Sequence, residues 1–449
     1  MARAPLSQLP QPVFHEPIFG EDGSLPDPTG FSTAHPSDSA LYNQIGDLLK
    51  KDVVAVPESR IAANEVFGLA QAYGSHGPQI NKLITEAGKI VFHALGDSGA
   101  SNAGKYPNEL RVGDQVTLDS TSSPETDRAA FLFHLGDVVY DFGEAQYYYD
   151  QFYDPFRNYP APIFAIPGNH DSFIIPGTAA GHTPLDTFQR NFCAKDHVIT
   201  PEAGSLHRTA MTQPGVYFTL DAPFVRIIGL FSNALEDPRV ISNLDKKWPA
   251  VSNLQTDFLK AQLQRIKQEK YPGAVLLAVH HPPFSYSPPK RTGGTGGNHG
   301  GSTVMLEQID TICHEVGVYP HAFLSAHAHN YQRYTRIMNF GGKEIDVPFI
   351  VCGDGGHNVN SLVRAQRGTP AVEPRAGDDV KYLEGKDKVA KVNHLILAKY
   401  DDHNYGYLRI SVDKDYLKIG FHQVGVRSLA QSRFDMVTVR LADHHMVAN

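Results

Sequence analysis

The chain has 449 residues, a formal net charge of −8 and a hydrophobic share of 41%, which is ordinary for a soluble globular protein. Its acidic balance argues against a general partner such as nucleic acid or an anionic membrane, because both demand a basic face. No stretch approaches the roughly 18 apolar residues of a membrane span, and the N-terminal segment lacks the continuous apolar run of a signal peptide. We therefore expect either a cytoplasmic protein or the mature form of an exported one.

The N-terminal segment predicts an arm and a helical extension that precede the main domain. Residues 1–36 are rich in proline and show little periodicity. Apolar residues then recur at helical spacing, first at Leu41, Ile45, Leu48 and Leu49, and later at Ile80, Leu83, Ile84 and Ala87. We expect an extension over 1–88, a catalytic domain over 89–430 and a C-terminal tail over 431–449.

Residues 89–430 show the alternation of an α/β domain. Short apolar runs bounded by Gly and Pro predict buried strands, and an amphipathic stretch over 254–267 predicts a helix between two of them. The predicted strands are 90–95, 129–135, 163–166, 225–231, 275–279, 323–326 and 348–352. Two further runs, 405–412 and 416–422, flank a turn and predict a closing hairpin.

Five of these predicted strands end in side chains that can bind metals. Ligands of open α/β sheets collect beyond the carboxyl ends of the strands, so the polar residues that follow each run are candidates. In chain order they are Asp97, then Asp137 and Tyr140, then Asn169, His170 and Asp171, then His280 and His281, and finally His327 and His329. Each motif alone is a weak signal, and the prediction depends on finding all five in one chain.

The candidate ligands form a mixed oxygen and nitrogen set. The three cysteines are widely spaced and predict neither a disulfide framework nor a thiolate metal site. A set without thiolate suits iron, manganese or zinc rather than copper or an iron–sulfur cluster. Two ions need about eight protein contacts in all, and one carboxylate can bridge them. The candidate residues are sufficient for this number.

The order GDxG, GDxxY, GNHD, H-x-P and HxH resembles the calcineurin-like metallophosphoesterases, and within them the purple acid phosphatases, including the small tartrate-resistant type. The resemblance covers roughly residues 89–425. It implies a sandwich of two mixed β-sheets flanked by helices, in four α/β/β/α layers, with a dinuclear metal site at the carboxyl ends of the strands. Ala326 departs from the family pattern, which usually has glycine before the HxH pair.

The resemblance also implies which residues hold the two ions. One ion would be bound by Asp97, Asp137, Tyr140 and His329, and the other by Asp137, Asn169, His280 and His327, with Asp137 bridging. The ions would be iron paired with iron, zinc or manganese, because a tyrosinate suits a ferric ion. An aromatic ring packed beneath the site is the alternative role for Tyr140.

Three further residues are candidate catalytic groups. By resemblance His170 faces the substrate and donates to a phosphoryl oxygen or to the leaving group. Asp171 is a candidate to orient His170, with a turn or helix-cap role as the alternative. His299, in a Gly-rich loop, is a candidate substrate contact, with a solvent-exposed loop histidine as the alternative. His281 follows a ligand on a strand, so we expect it to point to the opposite side, into the core.

The expected activity is hydrolysis of phosphate esters, foremost phosphomonoesters in the manner of an acid phosphatase, by in-line attack of a metal-bound hydroxide. The expected partner is a small-molecule phosphate ester, without nucleic acid or membrane. A phosphodiesterase of the same superfamily is the alternative, since the metal ligands do not separate the two. A protein phosphatase is disfavoured by Tyr140 in place of an acidic residue. A non-catalytic scaffold would have lost ligands, whereas every position is filled.

Overall fold

Two β-sheets form the centre of the protein in the computed structural model. The structure describes residues 53–172, 185–204, 206, 208–236, 238–286, 299–362, 392–425 and 432–448. The helical pattern predicted around Leu41 and most of the Gly-rich loop before His299 lie outside these residues.

The strands in chain order are β1 (Phe67–Gly68), β2 (Lys89–Leu95), β3 (Leu132–His134), β4 (Ile163–Ala165), β5 (Phe218–Ala222), β6 (Val225–Leu230), β7 (Ala274–Val279), β8 (Ala322–Ser325), β9 (Tyr331–Phe340), β10 (Lys343–Cys352), β11 (Val392–Asp401), β12 (Gly406–Asp413), β13 (Tyr416–Gln423), β14 (Arg433–Arg440) and β15 (His445–Val447). In the described residues one sheet has the order β1-β5-β6-β7-β8-β10-β9-β11 and the other β15-β14-β13-β12-β2-β3-β4. The seven runs predicted as strands coincide with β2, β3, β4, β6, β7, β8 and β10.

Each sheet combines parallel and antiparallel pairs. Strands β2, β3 and β4 are parallel in one sheet, and β6, β7, β8 and β10 are parallel in the other. The short β1 is also parallel to β5, and the remaining pairs, including the predicted hairpin of β12 and β13, are antiparallel. The sheets pack face to face, since a Cβ atom at Gly229 of β6 would lie 2.7 Å from Ile166 beyond β4. This confirms the predicted architecture of two mixed sheets.

Helices flank the two sheets. They are α1 (Leu69–Ala72), α2 (Gly77–Ala87), α3 (Tyr106–Ser122), α4 (Asp186–Phe192), α5 (Leu254–Glu269) and α6 (Thr303–Val316). Helix α2 ends at Gly88, which has the left-handed backbone (φ 69°) that favours glycine. Helix α6 begins at Ser302, whose hydroxyl accepts the Met305 N–H. In the described part of the chain, no helix combines the length and the apolar character needed to cross a membrane.

The outer segments belong to the same fold. Strand β1 pairs with β5 and so joins the described part of the N-terminal extension to the first sheet. Strand β14 pairs with β13, and its Val437 and Val439 are buried in the hydrophobic core. Residues 433–440 are therefore an added strand rather than a tail, and the predicted hairpin does not close the fold.

His321 is a buried imidazole at the start of β8, at the end opposite the carboxyl ends of the parallel strands. Its Nδ1 accepts the Val275 N–H at 3.0 Å, so its Nε2–H donates to the Leu441 carbonyl at 3.2 Å. Burial, with a smaller contribution from the nearby His444, lowers the pKa of His321 to about 3. The ring is therefore neutral in the folded protein at all mild pH values.

Replacing His321 with Gln should make folding less sensitive to acid. The folded pKa lies below the unfolded value, so the contribution of the neutral ring is complete above that unfolded value and declines as pH falls towards 3. The wild type should lose about 2 kcal/mol more free energy of unfolding between about pH 7 and pH 5 than the variant, as urea unfolding at both pH values would measure. His76→Gln, at a partly exposed position, is the control. An equal loss in wild type and His321→Gln would contradict a neutral buried ring.

Candidate metal centre

The carboxyl ends of the parallel strands bring the predicted ligands to one place. The loops after β2, β3 and β4 supply Asp97, Asp137, Tyr140 and Asn169, and the loops after β7 and β8 supply His280, His327 and His329. All seven side chains are buried. The two groups of strands lie in different sheets. The centre is therefore assembled only where the carboxyl ends of the strands of both sheets meet.

The hydroxyl of Tyr140 lies at the middle of the first predicted ligand set. It is 2.9 Å from Asp97 Oδ1, 3.0 Å from Asp137 Oδ2 and 3.2 Å from His329 Nε2. His329 Nε2 is also 3.3 Å from Asp97 Oδ1. The phenol therefore points into the site and is not simply an aromatic packed below it.

The amide oxygen of Asn169 lies at the middle of the second predicted ligand set. It lies 3.1 Å from His280 Nε2 and 3.0 Å from His327 Nδ1. His280 Nε2 is in turn 3.3 Å from Asp137 Oδ2, the oxygen that also contacts Tyr140. Asp137 thus stands between the two sets, where a bridging carboxylate would have to be.

The backbone at the centre is strained and closely packed. Asp97, Asp137 and His327 have positive φ angles of 55°, 54° and 66°, which are uncommon for residues with side chains and occur often at functional sites. At Gly168 a Cβ atom would lie 2.1 Å from Asp137 Oδ1, so only glycine allows this approach of the two loops. The glycine of the GNHD motif is therefore a steric requirement of the site.

Electrostatics at the centre favour a bound cation. Burial raises the pKa of Asp97 well above its usual value, and the charge of Asp137 adds to this. Burial acts in the same direction on Asp137, but the charges of His280 and His170 outweigh it and hold the pKa of Asp137 well below its usual value. Two carboxylates this close cannot both ionise easily without a positive charge between them. Metal ions would supply that charge.

The donor atoms fit metal binding in spacing as well as in type. One nitrogen or oxygen each from Asp97, Asp137 and His280 lies within 4.8 Å of the others, and so does one nitrogen each from His280, His281 and His327. Carboxylate, amide oxygen, phenol and imidazole together are a donor set for iron, manganese or zinc.

His281 is buried, as expected, but it does not point away from the centre. Its ring lies 4.3 Å from that of His327, and its Nδ1 is 2.9 Å from Ser232 Oγ. Strand β7 ends at Val279, so the side-to-side alternation of a strand no longer applies two residues later. The expectation of the opposite face was wrong for this reason.

His170 and His299 both lie beside the ligand residues. The Nδ1 of His170 is 2.7 Å from the Asp141 carbonyl, and its Nε2 is 4.0 Å from Asp137 Oδ2. The ring of His299 is 5.0 Å from that of His327 and 4.9 Å from that of His329. The structure therefore brings both candidate catalytic histidines to the same centre.

Asp171 has another role than orienting His170. Its carboxylate accepts the backbone N–H groups of Val138, Val139 and Gly168 at 2.9–3.2 Å. These bonds join the loop after β3 to the loop after β4. The group that orients His170 is instead the backbone carbonyl of Asp141, which a sequence pattern cannot indicate because every residue has one.

His357 is a residue of the site that sequence reasoning did not single out. Its ring is stacked on that of Tyr140 at 3.6 Å, and its Nε2 accepts a hydrogen bond from Lys105 Nζ at 2.8 Å. Its Nδ1–H donates to the Gly99 carbonyl at 2.6 Å. The sequence feature that could have indicated it is the Gly353-Asp354-Gly355-Gly356 segment, which follows β10 and directly precedes His357.

Comparison with known families identifies the family of the chain. The family model for calcineurin-like phosphoesterase matches residues 90–331, more than half of the chain. The chain belongs to this family. Membership implies metal-dependent hydrolysis of phosphoesters, and the family typically binds two metal ions. None of the curated proteins matches this calcineurin-like phosphoesterase.

Three solved structures match this phosphoesterase at low similarity. GAP50, the anchor in the inner membrane complex of Plasmodium, has 10% identity and a TM-score of 0.44, covering 76% of this chain and 86% of its own. PhoD has 12% identity and a TM-score of 0.43, with coverages of 80% and 71%. A conserved uncharacterized protein from Streptococcus pneumoniae, a predicted phosphoesterase, has 10% identity and a TM-score of 0.22, with coverages of 75% and 90%. These likenesses are too distant to support an argument about substrate.

Replacing Asp171 with Ala should destabilise the protein. The substitution leaves three buried N–H groups without their acceptor, at about 1–3 kcal/mol each, so we expect a loss of at least about 3 kcal/mol. Urea unfolding measures the loss, and Asp114→Ala, at an exposed position of α3, should change stability by no more than about 0.5 kcal/mol. If Asp171 served only to orient His170, Asp171→Ala would retain full stability while losing activity.

Proposed function

We propose that this protein hydrolyses phosphomonoesters at a dinuclear metal centre, in the manner of the purple acid phosphatases. The observation that carries the proposal is the position of the Tyr140 hydroxyl, 2.9–3.2 Å from Asp97, Asp137 and His329. In other branches of the superfamily the corresponding residue is commonly an aspartate. A phenol in this position gives the first ion a ligand that suits ferric iron.

The proposed ligands follow the two sets of contacts. The first ion would be held by Asp97, Asp137, Tyr140 and His329, and the second by Asp137, Asn169, His280 and His327. The ions are proposed to be iron paired with iron, zinc or manganese. When bound, they supply Lewis-acid polarisation of the phosphoryl group and lower the pKa of water.

His170 is proposed to move a proton at its Nε2 atom. The hydrogen bond from Nδ1–H to the Asp141 carbonyl sets the tautomer and the orientation of the ring, so Nε2 is the nitrogen that faces the centre. In its protonated form Nε2–H donates to a phosphoryl oxygen or to the oxygen of the leaving group. His299, beside His327 and His329, is proposed as a second substrate contact.

Activity on model esters is the direct test of this proposal. Protein loaded with iron, with or without zinc or manganese, is assayed on p-nitrophenyl phosphate and on bis(p-nitrophenyl) phosphate from acidic to mildly alkaline pH. We expect kcat/KM to be at least about 10-fold higher for the monoester. Preference for the diester would replace the proposal with a phosphodiesterase, and turnover of neither ester with both metals bound would contradict it.

Two substitutions separate the metal ligands from the proton donor. Asp137→Ala should abolish turnover and lower the metal content per chain, because the carboxylate is proposed to bind both ions. His170→Ala should keep the metal content and lower kcat by about 10²- to 10⁴-fold. Elemental analysis and steady-state kinetics measure both effects. Normal metal content in Asp137→Ala, or unchanged kinetics in His170→Ala, would reject the respective role.

A further inference from the structure

Arg239 lies beside the candidate metal centre, in the loop that follows β6. Its backbone has the left-handed conformation (φ 70°), and its N–H donates to the Leu235 carbonyl at 3.0 Å. An arginine in this conformation carries a strain of about 1–2 kcal/mol, which the surrounding contacts must hold. Strain of this kind is often found where a side chain has to be aimed at a ligand.

The loop is fixed by the start of α6. Ser302 Oγ donates to the carbonyls of Pro238 and Arg239 at 2.8 and 3.0 Å. On the other side, the Ile241 N–H donates to Gln308 Oε1 of the same helix at 3.1 Å. Both ends of the short turn are thus tied to α6, so the direction of the Arg239 side chain is set by the fold.

The guanidinium of Arg239 points to the histidine side of the centre. Its Nη1 donates to the Gly300 carbonyl at 2.5 Å, next to His299. The His299 ring is itself about 5 Å from the rings of His327 and His329. The hydrogen bond to Gly300 therefore fixes the guanidinium next to the residue whose ring lies beside both of these histidines.

We propose that Arg239 binds the terminal oxygens of the substrate phosphoryl group and makes the site prefer phosphomonoesters over phosphodiesters. This inference rests on the proposed function and extends it to the choice of substrate. Arg239 becomes a specificity-determining residue that sequence reasoning did not single out.

The chemistry of the two ester classes explains the preference. A phosphomonoester carries about −1.5 to −2 charges near neutral pH and three terminal oxygens. A diester carries one negative charge and two such oxygens. A guanidinium fork pairs with two oxygens at once and is charged at every working pH, so it stabilises the dianion more than the monoanion.

The alternative role for Arg239 is to anchor the loop at Gly300. Arg239→Gln tests it, because the amide can still donate to the Gly300 carbonyl while the charge is removed. Arg239→Lys keeps the charge and removes the fork. Arg265→Gln is the matched control, since Arg265 lies on α5 and pairs with the exposed Glu269.

The experiment measures kcat/KM of metal-loaded wild type and variants for p-nitrophenyl phosphate and its bis-ester, together with inhibition by inorganic phosphate and metal content. In Arg239→Gln we expect kcat/KM for the monoester to fall roughly 10- to 100-fold and that for the diester less than about 5-fold. The inhibition constant of phosphate should rise about 10-fold or more. Arg239→Lys should lie between wild type and Arg239→Gln, and Arg265→Gln should match the wild type.

The outcomes separate the two proposals. An equal loss on both esters, a loss of metal or no change in Arg239→Gln would overturn the role of Arg239 while leaving the proposed phosphatase activity standing. A wild type that hydrolyses neither ester would reject the proposed function. In that case calorimetric binding of inorganic phosphate still decides the role of Arg239, since weaker binding by Arg239→Gln supports it and equal binding overturns it.

Discussion

The carboxylate of Asp137 joins the two halves of the protein. It follows β3 in the seven-stranded sheet, and its Oδ2 contacts both Tyr140 of its own loop and His280, which follows β7 in the other sheet. Its Oδ1 accepts the His170 N–H at 2.9 Å. Asp97 also connects the two sheets, because its Oδ2 accepts the His327 N–H at 2.6 Å. The two sheets are thus tied through the same acids that are proposed to bind metal.

Without bound metal, such a centre lowers the stability of the folded protein, and backbone contacts hold it in place. Buried carboxylates lose their hydration, and the repulsion between their charges adds to that cost. The left-handed backbone at Asp97, Asp137 and His327 adds strain, and the close approach at Gly168 leaves no space for adjustment. Asp171 offsets part of this cost by accepting N–H groups from both loops. In this view the loops are preorganised for ions before the ions bind.

The two sides of the centre differ in character. On one side Tyr140 lies between the carboxylates and is covered by His357, which in turn contacts Lys105. On the other side are histidines and the guanidinium of Arg239. The first side has the hard oxygen donors that suit a ferric ion, and the second combines imidazole nitrogens, proposed as metal ligands, with the positive charge of Arg239. This asymmetry fits the proposal of two unlike ions, with the phosphoryl group oriented from the side of Arg239.

The sequence by itself determined the class of fold and which candidate side chains follow the strands, because strand ends are marked by apolar runs that stop at Gly-Asp, Asn-His or His-x-His. It did not identify the outer strands: β1 finds its partner β5 far along the chain, and β14 adds to the sheet beside the preceding strand β13. The direction of the His281 side chain was predicted wrongly, because side-to-side alternation applies only within a strand and β7 ends at Val279. Only the tertiary structure decided that Asp171 ties two loops together, that His357 covers Tyr140 and that Arg239 faces the centre. The physical reason is the same in each case: these contacts join residues from 30 to over 200 positions apart, and they depend on how two sheets meet at one edge.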